Sequence, residues 1–386
     1  MTNPLPLLGT LIFCVATSTT AKLKASNGFS STNRLIQVNQ LEPIDPVFER
    51  SFIEEDARFE NKESEIMLSG TLTIPKGIGK FPCVVFISGS GPHSRDSIFA
   101  GHPLFKVLAE HLSNNGIAVL RYDDRGVGES EGDFASASPV DFSSDALSAI
   151  EFLNSHDSIR KNQIGILGHS EGSIAALIAV QDSEIPAFLI TLAGPGVPGI
   201  DGIKTSVRAS SKANGISTKV TNLNLKFFTE FAEIIEKTTD HDEAKRLMKT
   251  KAKQISDSAK SDELNAPGSI APALSQIIDQ FNEPNTRFVL NFDPQSMYSQ
   301  IQIPTLVLYG KRDSITPYRV HATAVERALR QSGANDTTVE SIPSMNHLFQ
   351  RAKTGSPAEF GQIEETMSPI ALERISSWIS DRFGEE

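Results

Sequence analysis

Three residues of this 386-residue chain have the types and settings that a nucleophilic attack on a carbonyl carbon requires: Ser170, Asp313 and His347. A serine hydroxyl is a poor nucleophile at its own pKa, so it needs a base within hydrogen-bond reach and a carboxylate to orient that base. Ser170 stands in Gly168-His169-Ser170-Glu171-Gly172, between the apolar run 163–167 and a small-residue-rich run, 172–180, that can be helical. A G-x-S-x-G pattern needs its glycines when the serine takes a strained turn between strand and helix, because a side chain at either flank would collide with the neighbouring elements. The helix that follows would aim its amides at the group under attack.

The same pattern recurs at Gly128-Glu129-Ser130-Glu131-Gly132. There the preceding strand has already ended at Tyr122, and residues 133–139 form a loop with no helix, so Ser130 reads as a turn residue. Eight histidines compete for the role of base. His321 falls inside a helical pattern, His241 in a charged stretch and His156 at a helix end, while the side chain of His169 should point away from Ser170. Only His347, in Ser341-Ile-Pro-Ser-Met-Asn-His347, follows a strand through a short loop. Asp313 lies just past another strand, in a turn closed by Pro317, whereas Asp293 has no buried strand before it and reads as a turn or cap residue.

A tetrahedral intermediate also needs two donors for its oxyanion. The backbone N–H of Glu171 supplies one in this reading and that of Ser90, in the glycine loop Ser88-Gly-Ser-Gly-Pro92, the other. A second glycine loop, Asp123-Asp-Arg-Gly-Val-Gly-Glu-Ser130, is expected to pack against the first, with Arg125 paired to a carboxylate. A phosphate cradle is disfavoured, since no Lys-Ser or Lys-Thr pair follows the glycines. None of the assigned roles calls for a metal or a cofactor.

Elements that hold these groups can be read from periodicity. Residues 48–52, 57–61 and 65–74 partly alternate and predict an antiparallel meander. Four nearly continuous apolar runs, 81–87, 116–122, 163–167 and 187–192, predict strands buried on both faces. Helices are expected between them at 96–115, 141–155 and 172–180. Two later strands, 305–309 and 338–342, flank a helix at 318–331, and a last helix at 369–383 carries the only tryptophan, Trp378. Strand and helix alternating in this way give an α/β fold: a mostly parallel central sheet with helices on both faces.

The strand rhythm stops between 195 and 302, where Phe227, Phe228, Phe231, Ile234 and Ile235 recur at helical spacing. An insertion that leaves the sheet at a strand's C-terminal end lies where open α/β sheets keep their active crevice, which predicts a helical cap over a core made of 46–194 and 303–386. Residues 22–45 read as a poorly ordered lead-in, and 1–21 as a signal peptide without its usual charged start, implying periplasmic or extracellular export; without it the location would be cytoplasmic. No other stretch is a candidate membrane span. Loss of the leader would leave Cys83 as the sole cysteine, a small buried hydrophobe in this reading. A net charge of −11 argues against a nucleic-acid partner.

Taken together, Ser88–Pro92, Asp123–Ser130, Gly168–Gly172, Tyr309-Gly-Lys-Arg-Asp313 and Asn346-His347 resemble the α/β-hydrolase superfamily, and most closely its bacterial branch of serine-aminopeptidase-like hydrolases and esterases. The resemblance spans 48–386 and is weakest in the cap. It implies carboxylic-ester hydrolysis of a small-molecule substrate, with cleavage of amides as an alternative. An exopeptidase would need an acidic anchor for the substrate's ammonium group, for which Glu230, Glu233 and Asp242 are the cap's candidates. A binding protein that kept the scaffold without turnover is a third reading.

Overall fold

The computed structural model of the protein describes residues 51–384; the expected leader, the lead-in and the first strand of the meander up to residue 50 lie outside them. The chain opens with a hairpin, β1 (Phe52–Asn61) and β2 (Ile66–Pro75), followed by β3 (Phe81–Ile87). A two-residue ribbon, β4 (Ile98–Phe99) with β5 (His102–Pro103), leads into α1 (Leu104–Asn114), β6 (Ala118–Tyr122), α2 (Pro139–Asn154), β7 (Ile159–His169), α3 (Gly172–Asp182) and β8 (Phe188–Leu192). After a long helical segment come β9 (Thr305–Gly310), α11 (Tyr318–Ser332), β10 (Thr337–Ile342) and α12 (Pro369–Phe383).

Eight of these strands form one sheet in the order β1-β2-β6-β3-β7-β8-β9-β10. From β6 to β10 all pairings are parallel, while β2 runs antiparallel to both β1 and β6. The helices from β3 onward therefore act as crossovers, and the C-terminal ends of β3, β7, β8, β9 and β10 open on the same edge. The fold is thus the mostly parallel α/β sheet expected from the apolar runs. Two details differ. The meander is a single hairpin with a ten-residue first strand. The first helix begins at Leu104 rather than near 96, because Pro103 holds His102 out of the helical region and Ser97, Ala100 and Gly101 all take positive φ.

One apolar layer lies under α2, α3 and α11, and the other under α1 and α12, where Trp378 is buried. The helical segment comprises α4 (Gly199–Ala213), α5 (Thr218–Lys237), α6 (His241–Ser258), α7 (Ser261–Leu264), α8 (Leu274–Phe281), α9 (Pro284–Asn291) and α10 (Pro294–Tyr298). It has a core of its own in which Phe227, Phe228 and Phe231 meet Phe281, Met248 and Ile255. It joins the sheet domain through Val289, which packs on Ile174 and Ile178 of α3.

Between β7 and β8, Gly165 pairs with Phe188, whose ring stacks on Phe383 at 4.8 Å and meets Trp378 edge-on at 6.0 Å. A Cβ on Gly165 would fall 2.2 Å from that ring. Gly165→Ala is therefore expected to cost about 1–3 kcal/mol or more by overpacking. Urea denaturation would read this as a lower midpoint with an unchanged slope, and adding Phe188→Leu should restore part of the loss.

Candidate active site

β7 ends at His169 and α3 starts at Gly172, so Ser170 must reverse the chain within two residues. It does so at φ +54°, a region that non-glycine residues enter only when the surroundings fix it. Its own N–H donates to the Leu192 carbonyl oxygen at 2.8 Å, tying the turn to the end of β8. A Cβ on Gly172 would lie 2.2 Å from the Ser88 carbonyl oxygen, and one on Gly168 would lie 2.5 Å from that of Gly172. Both glycines are thus required by close backbone approach, and the turn lifts the Ser170 hydroxyl off the sheet edge.

The loops after β9 and β10 bring their side chains to that hydroxyl. His347 Nε2 lies 2.9 Å from Ser170 Oγ, and Nδ1 lies 2.8 Å from Asp313 Oδ2. Asp313 also accepts from the amides of Ile315 (2.7 Å) and Thr316 (3.0 Å), and from the Thr316 hydroxyl (2.6 Å). Burial alone would raise this carboxyl, but the His347 ring and these donors bring it below the ordinary aspartate value. An ionised Asp313 accepts from Nδ1–H, which leaves Nε2 free to take a proton. The histidine loop is shaped by Asn346, whose side-chain oxygen accepts from the amides of Leu348 and Gln350, each at 3.0 Å.

His169 does point away from Ser170. Its Nε2 donates to the His347 carbonyl oxygen at 3.1 Å, and burial lowers its pKa to about 3, so it is a neutral strut beneath the histidine loop. His321 is likewise buried, accepts from the Gly196 amide at Nδ1, and has its pKa lowered to about 4 by burial. Ser130 donates to the Asp123 carbonyl oxygen, Asp293 caps α10, and His156 pairs with Glu55. Cys83 is buried within β3, and burial pushes its thiol up.

Ser90 sits beside Glu171 and Ser170 in the wall of one cavity of about 80 Å³. Neither the Ser90 amide nor the Glu171 amide has an acceptor among the described residues. The glycine loop that carries Ser90 packs against the second glycine loop, as expected, through partners that include His93, Arg95 and Asp145, which the sequence did not single out. Asp124 accepts from the Ser88 hydroxyl and from the His93 amide, while His93 Nε2 donates to the Ser90 carbonyl oxygen. Arg95 pairs with Asp123, and Arg125 with the buried Asp145. Apolar walls come from Ile174 and Ile315 of the sheet domain and from Val197, Ile203 and Val289 of the 195–302 segment. Glu230, Glu233 and Asp242 do not line this cavity, and the first two face Lys251 and Lys237 instead.

Burial raises the Asp124 carboxyl to about 7 against the pull of its Ser88 and His93 donors, with Asp145 adding to the rise. Between about pH 4 and 7 the folded chain therefore holds a proton that the unfolded chain has released. Stability falls through this window as pH rises, because the unfolded chain binds fewer protons than the folded one. Asp124→Asn cannot titrate, so its stability relative to the parent protein should rise from pH 5 to pH 7. Urea midpoints at pH 5, 6 and 7 test this; a constant difference would contradict it.

The family model described as serine aminopeptidase, S33, matches residues 83–351. Esterase EstD of Thermotoga maritima is 26% identical over 329 residues, covering 83% of this chain and 68% of that protein. An uncharacterised 31.7 kDa protein of Escherichia coli, from the traX-finO intergenic region, is 23% identical over 254 residues, covering 64% and 78%. In fold, the chain is similar to a Pyrococcus furiosus esterase (TM-score 0.52, 14% identity, 90% of this chain and 99% of that one) and to the α/β hydrolase GrgF of a Penicillium species (TM-score 0.53, 16% identity, 86% and 100%). A match that runs from the middle of β3 to the loop just beyond His347, over a sheet of this order, means that the chain belongs to the serine aminopeptidase S33 family of α/β hydrolases.

Proposed function

We propose that this hydrolase cleaves carboxylic esters of small molecules through a covalent acyl-enzyme. Ser170 Oγ attacks the ester carbonyl while His347 Nε2 takes its proton. Asp313 keeps the imidazole in the tautomer that can accept and stabilises the cation that forms. The carbonyl oxygen, now negative, receives the amides of Ser90 and Glu171. Collapse expels the alcohol, which carries away the proton held on Nε2, and a water molecule repeats the sequence to release the acid.

The observation that carries this reading is the unbroken contact from Ser170 Oγ through His347 to Asp313, at 2.9 Å and 2.8 Å, with the serine in a left-handed turn at a helix start. Esters are favoured over aminoacyl amides because the walls beside the serine are mainly aliphatic and the acidic residues of the helical segment lie elsewhere. The name of the Thermotoga relative, an esterase, points the same way.

Ser170→Ala is expected to bring p-nitrophenyl acetate turnover to background and to abolish labelling by a fluorophosphonate probe. Asp313→Asn should lower kcat by about 10³–10⁴-fold with the fold intact. Turnover retained by the serine variant would remove the mechanism. Aminoacyl-anilides cleaved faster than esters would replace the substrate class while leaving the nucleophile in place.

A further inference from the structure

Ser90 and Glu171 are far apart in the chain, and the first lies in a loop of no regular structure between Gly89 and Gly91, the latter at φ +95°. An oxyanion site works only while both donors stay about 2.7–3.1 Å from one point, so a loop donor must be fixed to the helix donor by something. The side chains of the same two residues make that tie: Ser90 Oγ donates to Glu171 Oε2 at 2.8 Å. The other carboxylate oxygen, Oε1, accepts from Asn285 Nδ2 on α9 of the 195–302 segment. Asn285 is itself 3% exposed, and its Oδ1 has no partner. One carboxylate thus joins the start of α3, the glycine loop and the helical segment.

We propose that Glu171 is a positioning residue whose carboxylate holds the Ser90 and Glu171 amides in register, and that Asn285 makes that register depend on the seating of the helical segment over the site. The inference rests on the serine-ester reading above. It goes beyond that reading by giving the Glu171 side chain a task separate from its backbone N–H. Such a tie acts on the transition state, where the oxygen is charged, and hardly at all on the neutral ester, so its loss should appear in kcat and not in KM.

The test compares Glu171→Ala, Glu171→Gln, Ser90→Ala and Asn285→Ala on p-nitrophenyl acetate, with phenylboronic acid as a tetrahedral transition-state mimic. Glu171→Ala should lower kcat about 10–100-fold with KM within about threefold, a smaller loss than deleting a donor outright. Its affinity for the boronic acid should fall in parallel with kcat/KM. Glu171→Gln should recover to within about fivefold of the parent. Its oxygen can still accept from Ser90, and its amide group can donate to Asn285 Oδ1 once that side chain turns over. Asn285→Ala should lower kcat about 3–10-fold.

An unchanged kcat in Glu171→Ala, a loss confined to KM, or a glutamine variant as impaired as the alanine variant would overturn the proposal. If thermal melts find Glu171→Ala unfolded, Ser90→Ala decides: it keeps the loop amide and removes only the tie, so a parental kcat overturns the idea and a lowered kcat at parental KM supports it. Activity surviving in Ser170→Ala would instead remove the underlying reading. That outcome is distinct from a serine-dependent enzyme indifferent to Glu171.

Discussion

The left-handed backbone of Ser170 is the constraint on which the rest of the site depends. A residue held there costs on the order of 1–3 kcal/mol and persists only where its neighbours leave it no alternative. Those neighbours are the β3–β7–β8 centre of the sheet, whose strands are buried on both faces, and α3, whose first turn presses on the β3 carbonyls so closely that position 172 admits no side chain. The strain is balanced by the burial of the central sheet. The turn in turn fixes where the hydroxyl points, and the loops of Asp313 and His347 have only to reach that fixed point.

Around the hydroxyl, charge is distributed by burial. His169 and His321 are driven to the neutral form, one under the His347 loop and one in the cavity wall, so neither places a positive charge beside the imidazole that touches Ser170. Asp313 stays ionised because donors surround it. Asp124, equally buried but with fewer donors, is pushed towards the neutral form. Two aspartates at similar depth thus shift in opposite directions, Asp313 down beside the His347 ring and its donors, and Asp124 up beside Asp145 and Asp123 with fewer donors.

Much of this arrangement was legible in the chain because its main determinants are local. A doubly buried parallel strand reads as an unbroken apolar run, and a strand-turn-helix with small flanking residues carries its own sterics, so the sheet and the setting of Ser170 could be read directly. Asp313 and His347 were findable because each follows such a run within a few residues. The tie between Ser90 and Glu171, the Asn285 contact, the His169 strut and the Asp124 post were not. Each joins residues distant in sequence through a single side chain, and nothing in the composition of Ser88–Pro92 tells which acid will meet it. Residues 96–103 read as part of the helix, because strands of two residues, Ile98–Phe99 and His102–Pro103, are too short to show a period and the positive φ of Ser97 and Ala100 leaves no mark in the sequence.

The helical segment explains how such a site can be fixed in mechanism and open in substrate. Most of its apolar residues close on themselves around Phe228, Phe231 and Phe281, while Val289 and Tyr298 tie it to α3 and to the apolar layer of the sheet. It reaches the cavity through a few side chains, Val197, Ile203 and Val289, of which Val289 also packs on Ile174 and Ile178 of α3. On the proposed ester mechanism, a cavity walled by the strained turn on one side and by the segment on the other gives a separation of tasks, with bond cleavage assigned to the turn and fit to the segment's side chains. The Glu171–Asn285 contact is where the separation is incomplete, since a roof that fails to seat leaves a carboxylate oxygen of the catalytic floor without its partner.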